Sequence, residues 1–433
     1  MQKIIFKNFK SSPLLKNIFI YAFSDGLTKA LPFLIFPVVA YYLSAEDFGR
    51  VSNFQVFVSL LLPFVTLSTN SYFSVDYYQN VKNAKSVYNQ IIYFVLFLFL
   101  IVSIFVLLFS NKISELIELP VFWIFVALGI IFFEAFTGLF LVKLRIQEKA
   151  KAFGLFNFMS ALVASSSVIL LVVIFNYGWE GRIWSLFIAA LLTGVLSIYF
   201  SLKYIQAFRK FDVGYWKPFL LFGLPLLPHS LAIWVKAAFA KLFITDSIGL
   251  AENGVYSFAI SINAIFLIFA MAFFSAFSPY MYKKLSSTEI KEDLYIVKKD
   301  IVKKIYTFLI LYSLVLFLGY FVLSFIINLF FLEKYGESLT YLPYLLLYNL
   351  FNAGYISLSS LVFYTKATKY LGVLTIITAF LNIILLFVLI PILGTVGAPI
   401  ATLIVSVLTL VLIYFYSSKV FFMPWFSKDL LKI

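Results

Sequence analysis

The sequence contains no cysteine and only one histidine, His229, among its 433 residues. The lack of cysteine excludes disulfide bonds, thiolate metal sites and a cysteine nucleophile. A single histidine excludes a histidine-based metal cluster, and the chain carries no glycine-rich phosphate loop and no paired-carboxylate motif. We therefore predict that the protein is not an enzyme and holds no metal or cofactor.

Charge is also scarce, because Asp, Glu, Lys and Arg make up 12% of the residues, about half of the share that is usual in soluble domains. Hydrophobic residues make up 63%, and the mean hydropathy is +1.02. Apolar runs of about 20 residues recur, each long enough to cross a membrane as an α-helix, the conformation that satisfies the backbone in lipid. We predict an all-α membrane protein with twelve transmembrane helices, near residues 14–43, 50–75, 88–110, 121–142, 153–175, 183–202, 218–245, 254–282, 305–330, 339–364, 370–391 and 397–418.

The charges of the loops alternate along the chain. The N-terminal and C-terminal segments and the loops near 76–85, 143–151, 203–217, 283–304 and 366–369 carry a net positive charge, whereas the loops that alternate with them are neutral or acidic. By the positive-inside rule the basic loops and both termini are cytoplasmic, so the net charge of +14 reflects topology and does not indicate nucleic-acid binding. The basic N-terminus precedes a long apolar span without a small-residue cleavage site, so we expect the first helix to remain as an anchor.

One pattern occurs twice in the chain. NYGWEGRIWSLFIAALLTGVLSIYFSLK aligns with ILGTVGAPIATLIVSVLTLVLIYFYSSK, and SAEDFGRVS aligns with LAENGVYS. The first alignment places Gly178 on Gly394 and Gly181 on Gly397. We predict two six-helix bundles, residues 1–205 and 218–433, joined by a cytoplasmic linker at 206–217. Because six is an even number, a pseudo-twofold axis along the membrane normal relates the two halves.

Three segments, in this order and spacing, resemble one family of transporters: GLPLLPHSLAIW, GLAENGVYS and NIILLFVLIPILGTVGAPIATLI. The chain is similar to the Wzx-type flippases for O-antigen or capsule repeat units, in the multidrug/oligosaccharidyl-lipid/polysaccharide exporter (MOP) superfamily. The resemblance implies a V-shaped molecule with a central cavity and alternating access. It implies that undecaprenyl-diphosphate-linked oligosaccharide is moved from the cytoplasmic to the periplasmic leaflet of a bacterial inner membrane. A polysaccharide polymerase and a chain-length regulator are the protein partners it implies, in the synthesis of lipopolysaccharide or capsule.

Two positions depart from the pattern of that family. Its helix seven often carries an acid followed by a base, where this chain has Ala240 and Lys241. The second asparagine that follows Asn382 in the family is Leu386 here. Because the base is kept and the acid is lost, the sequence argues against a mechanism that needs an ion pair inside helix seven.

Helix seven nevertheless holds three basic side chains, His229, Lys236 and Lys241. A lysine near the centre of a membrane helix costs roughly 2.5–3.5 kcal/mol and usually faces a bundle interior or a wet cavity. On an α-helix His229 and Lys236 share one face, which would attract a diphosphate. Lys241 points about 140° away from Lys236. It either joins the cavity cations or extends to the outer interface. The alternatives are a snorkelling or structural role for Lys236 and a packing role for His229.

Helices one and four carry the other charged side chains inside the predicted spans. Asp25 and Lys29 have i, i+4 spacing, so they either form a mutual ion pair or serve function, Lys29 as a cavity cation and Asp25 as a coupling-ion site. Glu134 has no close partner in the sequence. It either makes a hydrogen bond across helices or takes part in a proton or sodium path.

Two transport hypotheses follow from these residues. The first is a flippase for lipid-linked oligosaccharide, driven by H+ or Na+. The alternative is a cation-coupled drug antiporter with the same architecture, whose cavity should be acidic. Lysines outnumber acids inside the predicted spans, which favours the flippase. A scaffold protein without transport activity is a third hypothesis.

Overall fold

The protein is described by a computed structural model that covers residues 31–79, 81–205, 211–286, 291–365, 367 and 369–426. These residues are helical almost throughout, and no strand occurs among them. Ten helices in the described ranges are long and apolar enough to cross a membrane, and the last of them, Lys369–Val420, is two helices joined by a 3-10 turn. The all-α membrane fold is confirmed, whereas the twelve-span, two-bundle arrangement remains a prediction.

The helices fall into two compact units, Met1–Trp234 and Val235–Ile433. The first unit contains α1 (Leu31–Tyr42), α2 (Ala45–Thr66), α3 (Thr69–Gln79), α4 (Ala84–Leu108), α5 (Ser110–Ile117), α6 (Val121–Ile146), α7 (Ala150–Val168), α8 (Gly178–Ile205), α9 (Trp216–Gly223) and α10 (Leu227–Trp234). The second contains α11 (Ala240–Ser247), α12 (Leu250–Ser286), α13 (Lys291–Phe330), α14 (Leu332–Tyr335), α15 (Ser338–Tyr364), α16 (Lys369–Leu393) and α17 (Gly397–Val420).

Each unit is organised around one closely packed pair of helices. In the first unit α6 and α8 make the most extensive contact, and in the second α15 and α17 do so. Small residues permit this approach, as in other membrane bundles. A Cβ atom on Gly194 would lie 2.4 Å from the Cβ atom of Phe133. The two pairs occupy corresponding positions in the internal repeat, so both units share one packing scheme.

The repeated glycines have the same backbone role in both units. Gly178 and Gly394 have φ angles of +54° and +63°, a region that favours glycine. Three residues later, a Cβ atom on Gly181 would lie 3.0 Å from the carbonyl oxygen of Leu171, and one on Gly397 would lie 2.5 Å from that of Leu389. Each pair of glycines therefore permits a tight connection between two consecutive helices.

The predicted boundary between the two halves does not coincide with the boundary between the two packed units. Residues 206–210 of the predicted linker lie outside the described residues. Beyond the linker, α9 packs against α3 and α10 packs against α2 within the first unit. The repeat-based boundary at 206–217 marks an internal duplication and remains a prediction, while packing places the change of unit after Trp234.

Helix α13 is much longer than a membrane span. Its 40 residues correspond to about 60 Å, twice the thickness of the hydrocarbon core. The charged first part of α13 is held by the C-terminal segment, because Lys298 Nζ donates to the carbonyl oxygen of Phe422 at 2.8 Å and Tyr306 Oη donates to that of Trp425 at 2.8 Å. The sequence predicts a basic loop over residues 283–304, whereas the charged residues from Lys291 onward belong to the same helix as the span.

Candidate functional site

Lys236 lies in a local departure from α-helical geometry. Residues Val235–Phe239 form a π-helical turn between α10 and α11, and such turns occur frequently at functional sites. An i→i+5 turn inserts one residue, so residues five apart lie about one turn apart on the same side of the helix. The predicted angle of about 140° between Lys236 and Lys241 assumed continuous α-helical geometry, which this π-helical turn interrupts.

The half-buried Lys236 lines a cavity of about 60 Å³ inside the second unit, which we call the Lys236 chamber. The chamber has room for a few water molecules and is too small for a glycan. Its other lining residues are Tyr348, Asn352, Tyr355, Asn382, Thr402, Val405, Ser406 and Thr409. No carboxylate occurs among them.

Three polar stripes at helical spacing build the walls. Helix α15 contributes residues 348, 352 and 355, and helix α17 contributes residues 402, 406 and 409, so both follow the i, i+4, i+7 pattern of one helix face. Helix α16 adds Asn382 to the lining, and Thr378, the hydrogen-bond partner of Lys236, lies one turn before it at i, i+4 spacing. These stripes were not predicted as a site, although their periodicity inside apolar spans was a usable signal.

The hydroxyl groups around Lys236 are arranged as acceptors. Thr378 Oγ1 donates to the carbonyl oxygen of Leu374 at 2.8 Å and accepts from Lys236 Nζ at 3.4 Å. The lining hydroxyls of α17 likewise donate to carbonyl oxygens of their own helix, which leaves oxygen lone pairs for the chamber. Neutral acceptors can therefore stabilise the ammonium group without cancelling its charge.

Lys236 makes no salt bridge within the described part of the chain. The one side-chain hydrogen bond of its amine there is to the hydroxyl of Thr378. Removing a charge from water without an opposite charge is costly, and side chains of this kind in membranes commonly mark substrate paths. Among the described residues, the charge of Lys236 is therefore not offset by a carboxylate.

The structure does not bring the other predicted site residues to this chamber. His229 is half-buried in the first unit, and its Nδ1 atom has no hydrogen-bond partner among the described residues. Lys241 is half-buried in α11, one turn beyond Lys236. Glu134 is exposed midway along α6. Asp25 and Lys29 lie outside the described residues, and the roles of all these residues remain predictions.

The prolines of helix seven lie where its first half is divided into short pieces. Pro225 lies in the 3-10 turn Leu224–Leu226, and Pro228 lies in the first turn of α10, where a missing N–H group is tolerated. Helix seven therefore reaches Lys236 as short helical pieces. Two such irregular turns, one 3-10 and one π, flank α10.

The first unit also has a polar face on a spanning helix. Gln55 and Ser59 are the positions of α2 between Val51 and Thr66 that are most exposed, and both are polar. Trp234 Nε1 donates to the carbonyl oxygen of Val56 at 3.1 Å and to Ser59 Oγ at 3.2 Å. Polar groups are unfavourable against hydrocarbon, so this face is not a lipid-facing one. Gln55 and Ser59, spaced i, i+4, were not predicted as a polar face.

Among the described residues, no group of three or more His, Cys, Asp or Glu side chains is placed to hold a metal ion.

Comparisons with known proteins agree with this architecture. The family model described as polysaccharide biosynthesis protein matches residues 14–285. A relative from Haemophilus influenzae, Lsg locus putative protein 1, is 24% identical over 287 residues, which is 64% of this chain and 67% of that protein.

Two solved structures have a similar fold. An inward-facing multidrug resistance MATE family transporter of the MOP superfamily has a TM-score of 0.70 at 14% identity and covers 90% of this chain and 94% of its own. The lipid II flippase MurJ, in an inward closed conformation, has a TM-score of 0.70 at 16% identity and covers 92% of this chain and 87% of its own. The family resemblance found in the sequence is confirmed: the chain belongs to the polysaccharide biosynthesis protein family, and its fold is that of the MOP superfamily.

Proposed function

We propose that this protein moves undecaprenyl-diphosphate-linked oligosaccharide repeat units, of O-antigen or capsule type, from the cytoplasmic to the periplasmic leaflet of a bacterial inner membrane. Transport proceeds by alternating access, with both termini in the cytoplasm. A cationic cavity receives the diphosphate, and Lys236 is one of its cations. Support for a lipid-linked glycan as the substrate class comes from the family match and from the flippase among the similar folds. A polymerase and a chain-length regulator belong to the same proposal as partners.

The observation that carries this proposal is the uncancelled charge of Lys236. Its chamber offers neutral oxygen and amide groups and no carboxylate. Such a cation attracts a diphosphate and repels a positively charged drug. The fold alone does not separate the two substrate classes, because the MATE transporter and MurJ have the same TM-score. The charge of the chamber favours the flippase over the antiporter.

Deletion of the gene tests the proposal directly. We expect the deletion strain to lose surface glycan and to accumulate undecaprenyl-diphosphate-linked repeat units in its membrane, since synthesis continues while translocation stops. A plasmid copy of the wild-type gene is the control and should restore both. Normal surface glycan with raised sensitivity to cationic drugs would identify an antiporter, and normal values of both would exclude both transport functions.

We further propose that Glu134 is a coupling site for H+ or Na+, with Asp25 as the second candidate. Glu134 makes no hydrogen bond and no ion pair among the described residues, and it is exposed midway along a spanning helix. Such carboxylates commonly belong to proton or ion paths. Glu134→Gln keeps the shape of the side chain but can neither release a proton nor offer a charged ligand to Na+.

The Glu134→Gln variant should therefore lose the dependence of translocation on an imposed ion gradient. The measurement uses proteoliposomes with a fluorescent undecaprenyl-diphosphate glycan and either a proton or a sodium gradient. Glu118→Gln, in the connection between α5 and α6, is the matched control and should keep the wild-type response. A Glu134→Gln protein that still responds to both gradients would exclude Glu134 from coupling.

A further inference from the structure

A second cavity lies in the first unit, where a crevice of about 550 Å³ opens between α7 and α8 over a floor formed by α6. We call it the α7–α8 crevice. One end of it is basic, with Lys143, Lys149 and Lys203 among the lining residues. The flanks are apolar and include Leu155, Met159, Leu196 and Phe200. The volume lies within the range of small-molecule sites.

The polarity of the crevice changes in one direction along both walls. On α7 the basic end at Lys149 leads to Leu155 and Met159, which are 64% and 50% exposed. Helix α8 is antiparallel to α7, so its apolar residues Leu196 and Phe200 precede the basic Lys203 in the chain. They are spaced i, i+4, like the pair on α7. Two apolar stripes thus extend from the same cationic end. This arrangement matches a ligand with an anionic head and an apolar tail.

The basic end of the crevice is built into the fold. Lys143 is 4% exposed, its Nζ atom donates to the carbonyl oxygen of Phe200 at 3.3 Å, and it lies 4.5 Å from the ring centre of Phe140 and 4.8 Å from that of Tyr204. Aromatic faces hold a cation without neutralising it. Gln147, which also lines the crevice, has a buried Oε1 atom without a hydrogen-bond partner among the described residues.

The location of the basic end agrees with a lipid headgroup. Lys143 and Lys203 lie in the last turns of α6 and α8, and Lys149 directly precedes α7. The loop charges predict that these ends are cytoplasmic. The first turn of α7 has no side-chain cap, so the positive end of its dipole adds to the field. Basic pockets between membrane helices on the cytoplasmic side bind anionic lipid headgroups.

We propose that the α7–α8 crevice is a binding site for an anionic glycerophospholipid of the cytoplasmic leaflet. The lysines bind the phosphate, the unpartnered Gln147 Oε1 accepts from a headgroup hydroxyl, and an acyl chain lies between the apolar stripes. Phosphatidylglycerol carries both a phosphate charge and headgroup hydroxyls. This site takes a membrane lipid and is independent of the glycan substrate of the proposed function.

The test measures retention of phosphatidylglycerol by the purified full-length protein with native mass spectrometry, after exchange from mixed phosphatidylglycerol and phosphatidylcholine micelles. We expect the wild type to retain phosphatidylglycerol about tenfold or more over phosphatidylcholine, since each surface lysine strengthens anionic-lipid binding several-fold. The double variant Lys149→Gln/Lys203→Gln should lose this preference. Both side chains are exposed, so its melting temperature without lipid should equal that of the wild type.

The matched control is Lys151→Gln/Lys217→Gln, which removes two exposed lysines from the same predicted side of the membrane but outside the crevice. It should keep the preference. Equal retention of both lipids by the wild type, or an unchanged preference in the crevice variant, would overturn the assignment. Displacement of phosphatidylglycerol by equimolar undecaprenyl diphosphate would also overturn it, because the crevice would then be a substrate site.

Discussion

Lys236→Met is expected to reduce export of lipid-linked glycan by about 10- to 100-fold without lowering the thermal stability of the protein. Methionine has nearly the length and volume of lysine, so the Lys236 chamber keeps its packing. A hydrogen bond to a charged group contributes about 1.5–3 kcal/mol, which sets the size of the loss. Stability should stay equal or rise, because the variant removes a charge that is costly inside a membrane.

The measurements are surface glycan in the deletion strain carrying each variant and the melting temperature of each purified protein. Lys241→Met is the matched control, since it removes a lysine from the same helix but outside the chamber, and it should have a much smaller effect. Lys236→Arg keeps the charge and should retain part of the activity, because the planar guanidinium group presents that charge in a different geometry from the ammonium group.

Two results would contradict this assignment. Full export by Lys236→Met would show that the chamber cation is not needed for the substrate. A fall in both export and melting temperature would show instead that Lys236 has a structural role through its contact with Thr378. Only loss of export at unchanged stability agrees with an electrostatic role toward the diphosphate.

Hydropathy predicted the parts of the fold that depend on the bilayer itself. A span such as 121–142 lies inside the observed Val121–Ile146 because its length and apolar composition depend on the bilayer and not on its neighbours. The internal repeat could also be predicted from the sequence. The two glycines that align in it, Gly178 and Gly394, have the same left-handed backbone conformation in both units. Local chemistry determined these features.

The site depends on contacts between distant segments, which no local pattern reports. Asn382 was noted only as part of a family motif, and its place beside Lys236 requires the packing of α16 against the π-helical turn. The turn itself shifts the hydrogen bonds of Val235–Phe239, and its sequence has no distinctive residue. Similarly, Lys149 and Lys203 belong to two separate basic loops in the sequence, and only the packing of α7 with α8 makes them one site.

Gly223→Ala is expected to destabilise the protein by about 1–3 kcal/mol, the usual cost of overpacking. A Cβ atom at position 223 would lie 2.2 Å from the carbonyl oxygen of Leu67 and 2.7 Å from its Cγ atom. Leu67 and Ser68, with φ angles of +40° and +55°, form the break between α2 and α3. The clash is with backbone, so no side-chain rotation can relieve it. The melting temperature and the monodisperse fraction after purification measure the effect.

Gly372→Ala is the control for this substitution. No atom lies within 4 Å of a Cβ built at Gly372, and alanine favours a helix over glycine by about 1 kcal/mol, so this variant should be as stable as the wild type or slightly more stable. If Gly223→Ala were equally stable, the close approach of α9 to Leu67 would be wrong. Gly223 and Trp234 both fix residues 216–234 to the first unit, two residues before Lys236. A Gly223 variant should therefore lose export together with stability, whereas Lys236→Met should lose export alone.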